Sequence, residues 1–312
     1  MDAFGTTNRR RFIEQMLKAS ALIGIAGMPS ELFASDEIMK LTILHTNDTH
    51  SRIDPFPIND PKFPGMGGVA RRFEIINEVR KTEEHVLLLD SGDIFQGTPY
   101  FNMYGGELEF KLMSEMKYDA ATLGNHDFDN GMDGFVKQLP HAKFPFLIAN
   151  YDFSDTIMNG KTETYKVFKK GDLRIGVFGI GIELQGLVDE KLYGNTKYLN
   201  PIEKANATAT HLKNEEHCDL IICLSHLGYN YPNSDKVSDV KLAQSSRNIN
   251  LILGGHTHTF IDTPYKYKNA EGQETLVAQT GWAGIRLGRI DYFISKKSKK
   301  ISTKSHTVKI ST

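Results

Sequence analysis

Residues 40–50 read KLTILHTNDTH, a short apolar run that ends in a cluster of polar side chains. The same order, an apolar run closed by polar or glycine residues, recurs along the chain. Runs of this length and composition predict buried β-strands. The predicted strands lie at residues 40–44, 86–89, 120–123, 146–149, 173–180, 220–224 and 249–253.

Helical patterns separate many of these strands. They lie at residues 69–80, 108–116 and 201–216. Strands that alternate with helices indicate an α/β fold in which helices cover a layered sheet. Two further strands, at residues 275–279 and 287–295, follow one another without a helix, so we expect a mixed sheet. We see no linker within residues 36–312 and expect one domain there, with the proline-rich stretch 54–64 as a surface loop near the site.

The overall charge of the chain is close to neutral. Its 312 residues include 37 basic and 38 acidic side chains, and the formal net charge is −1. Because the two signs are interspersed without long blocks, the composition indicates no surface for a polyanion. We therefore expect no nucleic-acid partner.

The first 34 residues differ in kind from the rest. Arg9 and Arg10 precede Phe12 and a weakly apolar stretch at residues 16–28, which is the order of an export signal. The arginine pair resembles a twin-arginine signal, a route for folded proteins. A spanning anchor is disfavoured because the apolar run is short and rich in Ala and Gly. We expect a periplasmic or otherwise exported protein that meets the membrane only through this segment, if it stays uncleaved.

Five segments place possible metal ligands just after a predicted strand. They are residues 47–50 (NDTH), 91–93 (SGD), 124–127 (GNHD), 225–226 (SH) and 254–258 (GGHTH). Each segment alone is typical of an ordinary turn. Together they contain five of the eleven histidines, and the carboxyl ends of strands in an open α/β sheet face one crevice. We therefore expect the five segments to converge on one site.

The residue types in these segments suit divalent cations. Carboxylates, imidazoles and an amide oxygen form a mixed ligand set that several such cations accept, and one carboxylate can bridge two ions. In an extended strand, the pairs Asp48/His50 and His256/His258 would each point both side chains the same way. The neighbouring glycines would permit tight turns close to the site.

The combined motifs resemble those of the calcineurin-like metallophosphoesterase superfamily. The resemblance rests on Asp48-x-His50, Gly92-Asp93, Gly124-Asn125-His126-Asp127, His226 and Gly255-His256-x-His258. Further stretches are similar to the catalytic domain of periplasmic 5′-nucleotidases, and the similarity covers residues 38–297. These stretches are Leu44–Asp48, Gly67–Arg71, Asn125–Asp129 and Gly281–Gly288. The resemblance implies a layered, mixed β-sandwich flanked by helices.

The resemblance also implies a site with two divalent cations, whose identity (Zn, Mn, Fe, Co or Mg) stays open. One cation would take Asp48, His50, Asp93 and His258, and the other would take Asp93, Asn125, His226 and His256. A water activated by the two cations would attack phosphorus. His126, oriented by Asp129, would stabilise charge or protonate the leaving oxygen. Asp127 would support the site from behind, and Asp90 would be a hydrogen-bonding strand end.

The implied activity is hydrolysis of phosphate monoesters, most of all nucleotides. Alternatives are a 2′,3′-cyclic-nucleotide phosphodiesterase with 3′-nucleotidase activity, a thiosulfohydrolase-like relative, or a catalytic half that needs a separate C-terminal-domain partner. The last alternative arises because periplasmic 5′-nucleotidases carry a second domain that holds the nucleoside, whereas this sequence stops at Thr312. In addition, His258 stands where some close relatives have Gln.

Overall fold

The computed structural model describes residues 38–297 and 300–311, so the predicted export signal at residues 1–34 lies outside the described residues. The described chain forms seven α-helices. They are α1 (Val69–Thr82), α2 (Pro99–Tyr104), α3 (Glu107–Glu115), α4 (Gly131–Gln138), α5 (Glu190–Tyr193), α6 (Pro201–Asn214) and α7 (Asp239–Ser245). Within these residues, no helix combines the length and the apolar character needed to cross a bilayer.

The strands form two large sheets and one small one. The first sheet has the order β13 (Ile301–Lys309), β12 (Arg286–Ser295), β1 (Ile38–Thr46), β2 (Val86–Asp90), β3 (Ala120–Ala121). The second has the order β10 (Tyr265–Lys268), β11 (Glu274–Ala278), β9 (Leu251–Leu253), β8 (Leu220–Ser225), β6 (Leu173–Ile180), β5 (Tyr165–Lys170). The small sheet pairs β4 (Tyr151–Asp152) with β7 (Lys197–Tyr198).

Both large sheets are mixed. In the first, β1, β2 and β3 are parallel, β12 pairs antiparallel with β1, and β13 pairs antiparallel with β12. In the second, β6, β8, β9 and β11 are parallel, and β5 and β10 are antiparallel edge strands. The predicted mixed α/β architecture is therefore confirmed, with the sheet divided into two.

Alternation along each strand explains the layers. Leu41 and Ile43 of β1 face one way and contribute to the apolar core that β6, β8 and β9 also line, whereas Leu44 faces the helices on the other side. On the far side of the second sheet, Ala205 and Leu212 of α6 contribute to a third core. Two sheets with helices on both outer faces give the layered sandwich that the sequence predicted.

The start of α6 shows how the sequence determines where one of these helices begins. Asn200 precedes the helix, and its Oδ1 accepts hydrogen bonds from the backbone N–H of Ile202 at 3.0 Å and of Glu203 at 3.2 Å. Pro201 occupies the first helical position, where its missing N–H costs no intrahelical bond. The helix buries its alanine-rich face, which allows it to lie close to the sheet.

One predicted strand does not form. Residues 146–149 make only isolated bridges, from Phe146 to Ala121 and from Leu147 to Glu163. The N–H of Ala149 instead donates to the carbonyl of Gly179. The run is apolar and buried, as a strand would be, but its backbone hydrogen bonds go to several different neighbours and no ladder results.

Candidate metal centre

The predicted ligands lie together at the edge where the parallel strands of both large sheets end. In the first sheet, β1 is followed by two of them, and β2 and β3 by one each. In the second sheet, β8 is followed by one and β9 by two. The structure brings together Asp48, His50, Asp93, Asn125, His226, His256 and His258. The expected convergence of the five segments is present.

A first cluster consists of Asp48, His50 and His258, whose possible ligand atoms lie within 4.8 Å of one another. The Nε2 atoms of His50 and His258 are 3.0 Å apart, and Nε2 of His258 is 3.4 Å from Oδ1 of Asp48. Three potential donor atoms therefore face one small volume.

A second cluster consists of Asp93, His226 and His256, again within 4.8 Å. Oδ1 of Asn125 lies 2.8 Å from Nδ1 of His256, so the amide oxygen joins this group. Within residues 38–297 and 300–311, these are the two groups of acidic, histidine and cysteine side chains close enough to hold a metal ion.

Asp93 lies between the two clusters. Its Oδ2 is 3.0 Å from Nε2 of His226 in one cluster and 3.9 Å from Nε2 of His50 in the other. Its Oδ1 accepts a hydrogen bond of 2.8 Å from the backbone N–H of His126, which fixes the carboxylate. A carboxylate in this position can contact both ions of a pair.

The buried atoms of His226 test whether the site suits a cation. Its Nδ1 lies 2.6 Å from the carbonyl of Ser91, which can only accept, so Nδ1 carries a proton and Nε2 is the nitrogen that faces the cluster. That Nε2 is buried and faces Oδ2 of Asp93 at 3.0 Å. Burial lowers the pKa of His226, but Asp93 outweighs it and the pKa rises to about 10. The centre thus favours positive charge, as a divalent cation would supply.

Five of the predicted ligands have left-handed backbone. The φ angles are 49° at Asp48, 46° at His50, 55° at Asp93, 71° at His256 and 51° at His258. Such conformations cost of order 1–3 kcal/mol each and are typical of functional sites. They also correct one expectation: the two i, i+2 pairs lie past the strand ends and converge through turns, not through the alternation of an extended strand.

Glycine is required where the backbone of two segments meets. A Cβ at Gly124 would lie 2.1 Å from Oδ1 of Asp93, and a Cβ at Gly92 would lie 2.5 Å from the backbone nitrogen of Gly124. Any larger residue would push these loops apart. The predicted role of these glycines in close approach to the site is confirmed at both positions.

His126 and Asp129 lie at the mouth of the centre. Nδ1 of His126 is 2.8 Å from Oδ2 of Asp129, and the His126 side chain is 36 % exposed. The hydrogen bond with Asp129 raises the pKa of His126. The His126 ring is 5.3 Å from the ring of His50, so it stands beside the first cluster with its other nitrogen unconstrained by a hydrogen bond to the described residues.

Two further carboxylates support the loops. Asp127 accepts backbone hydrogen bonds from Asp93 at 3.0 Å, from Ile94 at 2.9 Å and from Gly124 at 2.8 Å, and so joins two ligand segments. Asp90 accepts from the hydroxyl of Thr46 and from the N–H of Gly92. Asp90, the last residue of β2, thus serves as a hydrogen-bond acceptor, as predicted.

Sequence reasoning overlooked the residues that clamp the segment after β11. Oδ1 of Asn47 accepts from the N–H of Thr280 at 2.8 Å, and Nδ2 of Asn47 donates to the carbonyl of Gly281 at 2.6 Å. Nε2 of Gln279 donates to the carbonyl of Gly255 at 2.6 Å. The signal that could have found them is the strand-like run that ends in Gln-Thr-Gly, which repeats the pattern of the ligand segments.

Comparison with known proteins places this site in a family. Residues 41–260 match the family model described as calcineurin-like phosphoesterase. The chain belongs to that family, whose members bind two metal ions. The resemblance seen in the sequence is thereby confirmed.

The chain is similar to several 5′-nucleotidases. It is 37 % identical over 252 residues to 5′-nucleotidase from Vibrio cholerae, a match that covers 76 % of this chain and 44 % of that protein. It is 32 % identical over 290 residues to snake venom 5′-nucleotidase from Crotalus adamanteus, covering 86 % and 48 %. The crystal structure of a 5′-nucleotidase precursor from Thermus thermophilus superimposes with a TM-score of 0.79 at 31 % identity, covering 87 % and 55 %. The chain spans about half the length of these relatives.

Proposed function

We propose that the chain is a metal-dependent hydrolase of phosphate monoesters, with nucleotides as its preferred substrates. The observation that carries the proposal is the position of Asp93, whose Oδ2 faces His226 at 3.0 Å and His50 at 3.9 Å and so joins the two ligand clusters. The similarity to proteins named 5′-nucleotidase supports the nucleotide part of the proposal.

In this proposal, one cation binds Asp48, His50, Asp93 and His258, and the other binds Asp93, Asn125, His226 and His256. When bound, the two cations supply Lewis-acid stabilisation of phosphate charge and a water acidified for attack on phosphorus. The mixed carboxylate, imidazole and amide ligands are compatible with Zn, Mn, Co, Fe or Mg.

His126 supplies the proton chemistry that the metal ligands cannot. The hydrogen bond to Asp129 fixes the ring and raises the pKa of His126, so the protonated form is favoured. A protonated imidazole beside the phosphate stabilises negative charge and can pass a proton to the leaving oxygen. Asp129 holds the ring in this orientation.

A substrate panel tests the proposal. The metal-stripped chain is reloaded with Mn²⁺, Zn²⁺, Co²⁺, Fe²⁺ or Mg²⁺, and phosphate release is followed from AMP, 3′-AMP, 2′,3′-cyclic AMP and an aryl phosphate. We expect metal-dependent release that is fastest from AMP. Faster turnover of the cyclic nucleotide and 3′-AMP would favour the phosphodiesterase alternative. If no phosphate ester is hydrolysed, sulfate release from an added thiosulfonate would favour the thiosulfohydrolase.

A second domain is tested with the same assay. We propose that the purified chain alone hydrolyses a bare aryl phosphate, because all seven predicted ligands come from residues 48–258. Addition of a separately produced C-terminal domain of a 5′-nucleotidase should then change the Michaelis constant for AMP more than that for the aryl phosphate. A chain that binds metal but turns over only in the presence of that domain would be a catalytic half.

We also propose that residues 1–34 direct export. The support is the order of Arg9 and Arg10 before a weakly apolar stretch. Fractionation of cells that produce the full chain should find it outside the cytoplasm. Substitution of both arginines by lysine should retain it inside, and an unchanged distribution would exclude a twin-arginine route.

A further inference from the structure

A tryptophan ring stacks parallel to the ring of a partly exposed predicted ligand. The rings of Trp282 and His258 are 5.6 Å apart between centroids, and their planes differ by 6°. The His258 side chain is 40 % exposed, whereas that of His50 in the same cluster is 7 % exposed. His258 is therefore more exposed than His50 in the same cluster, and the indole is the ring stacked parallel to it.

The backbone around Trp282 is fixed to the ligand segment after β1. The N–H of Ala283 donates to the carbonyl of Asp48 at 2.7 Å. On the other side of the tryptophan, the carbonyl of Gly281 accepts from Asn47 at 2.6 Å. Trp282 is thus held by the segment that carries Asp48 while its ring lies on His258, so it connects two separate ligand segments of one cluster.

The indole is also held from behind. The ring of Phe56 meets it edge-on at 5.9 Å and 73°, and the ring of Phe63 does so at 6.2 Å and 74°. Both phenylalanines come from the proline-rich loop at residues 54–64, which the sequence placed near the site. Edge-to-face contacts of this kind leave the indole little room to turn, so its face stays against the imidazole.

We propose that Trp282 is a positioning residue that holds the His258 ring in the orientation required for binding the first cation. The proposal rests on the two-metal site of the proposed function. A bound cation withdraws electron density from the imidazole, and the electron-rich face of an indole favours such a ring. The stack is therefore stronger in the metal-loaded protein than in the metal-free protein, and it stabilises the loaded form.

The indole itself provides the first test. Trp282 is the single tryptophan of the chain, so selectively excited tryptophan emission reports on this ring alone. We expect the emission to change when the metal-free protein is titrated with Mn²⁺ or Zn²⁺. The change should reach its plateau when the first cluster is occupied. The same titration of His258→Ala should leave the emission nearly unchanged. The proposal would be overturned if the wild-type emission did not change on addition of metal although a chelator-competition assay showed two bound ions.

A double-mutant cycle separates positioning from general packing. Mn²⁺ affinity is measured by competition with a chromophoric chelator in Trp282→Leu, His258→Gln and the double variant. A stacked pair contributes roughly 0.5–1.5 kcal/mol, so Trp282→Leu should weaken binding about two- to twelvefold. In the His258→Gln background, the same change should have an effect of less than about twofold. Equal losses in both backgrounds, or no loss in either, would refute a role through His258.

Two variants serve as controls. Trp282→Phe keeps a flat ring and should restore most of the affinity, which also keeps the test valid if Trp282→Leu folds poorly. Tyr265→Leu removes a stacked ring at a different place, 5.7 Å from Tyr229, and should leave Mn²⁺ affinity unchanged.

If the wild type binds no ions and releases no phosphate, the proposed function fails. If it does both but shows no coupling, only the role of Trp282 fails.

Discussion

Leu41 and Ile43 of β1 are fully buried between the two sheets, whereas Asp48 and His50, a few residues further along, line the edge where the strands end. The intersheet core is apolar and regular, and its burial favours folding by about 25 cal/mol per Å². The edge buries carboxylates and imidazoles on left-handed backbone, which opposes folding. The same strands thus stabilise the fold in one part and hold a strained, polar centre in the other.

The largest effect is expected at Asp93, which joins the two clusters. Asp93→Asn should reduce bound metal from two ions to fewer than one per chain and lower turnover at least about 10³-fold, because the cations supply several kcal/mol of stabilisation. Elemental analysis and phosphate release measure the two quantities. Asp90→Asn is the matched control, since it changes a buried carboxylate three residues away that accepts hydrogen bonds from Thr46 and Gly92. Equal metal loss in both variants would show that removal of either buried carboxylate disturbs the fold, and that Asp93 has no special role in binding metal.

His126 should separate chemistry from metal binding at the same edge. His126→Ala is expected to keep two ions per chain and to lower kcat about 10²–10⁴-fold, the usual range for loss of a general acid. Asp129→Asn, which weakens the hydrogen bond to the ring, should lower kcat less. Metal content and kcat are measured on the same preparations, and an unchanged kcat in His126→Ala would remove the histidine from its assigned role.

A core residue should show the reverse pattern. Ile175 in β6 is fully buried between the sheets, and Ile175→Ala should lower the free energy of unfolding by about 2–5 kcal/mol while kcat changes little. Urea unfolding and phosphate release are compared on one preparation. Ile157→Ala, at a 48 % exposed isoleucine, should change stability by no more than about 0.5 kcal/mol. A large loss of kcat in Ile175→Ala at full occupancy of metal would break the division between core and edge.

The two regions also differed in how well the sequence predicted them. Apolar runs at 40–44, 86–89, 173–180 and 220–224 predicted β1, β2, β6 and β8, because a strand buried on both faces is apolar throughout. The edge strands β5 and β10 were missed. Their sequences, YKVFKK and YKYK, mix lysines with aromatic residues, and their side chains are half-buried or exposed.

At the centre, residue types and spacing predicted which side chains meet, but not the geometry that brings them together. The motifs could not show that Asp48 and His258 lie on left-handed turns. They could not show the clamp either, because Asn47 and Thr280 are 233 positions apart and only the folded chain brings them within 2.8 Å. Long-range contacts of single polar side chains leave no periodic signal in a sequence.

His45 lies at the boundary of the two regions and gives the smallest effect. It belongs to β1 and is packed against Gly288 of β12, with its Nδ1 buried and without a hydrogen bond. Burial lowers the pKa of His45 to about 3. An unfolded chain with a histidine pKa of about 6.5 takes up a proton that the fold excludes, so this contribution to stability is present above pH ~6.5 and is lost as pH falls toward about 3.

For each pH unit below the histidine pKa of the unfolded chain, the free energy of unfolding should fall by up to about 1.4 kcal/mol. We predict that urea unfolding of the chelator-treated chain at pH 7 and pH 5 shows this component, and that His45→Leu lacks it. Because only the pH dependence is compared, a difference in packing between His and Leu cancels. If the wild type and His45→Leu lose the same free energy of unfolding between pH 7 and pH 5, His45 does not contribute to the pH dependence and belongs with the solvated residues of the polar edge. If only the wild type shows the extra loss, the apolar core extends along β1 to His45, just before the predicted metal ligands.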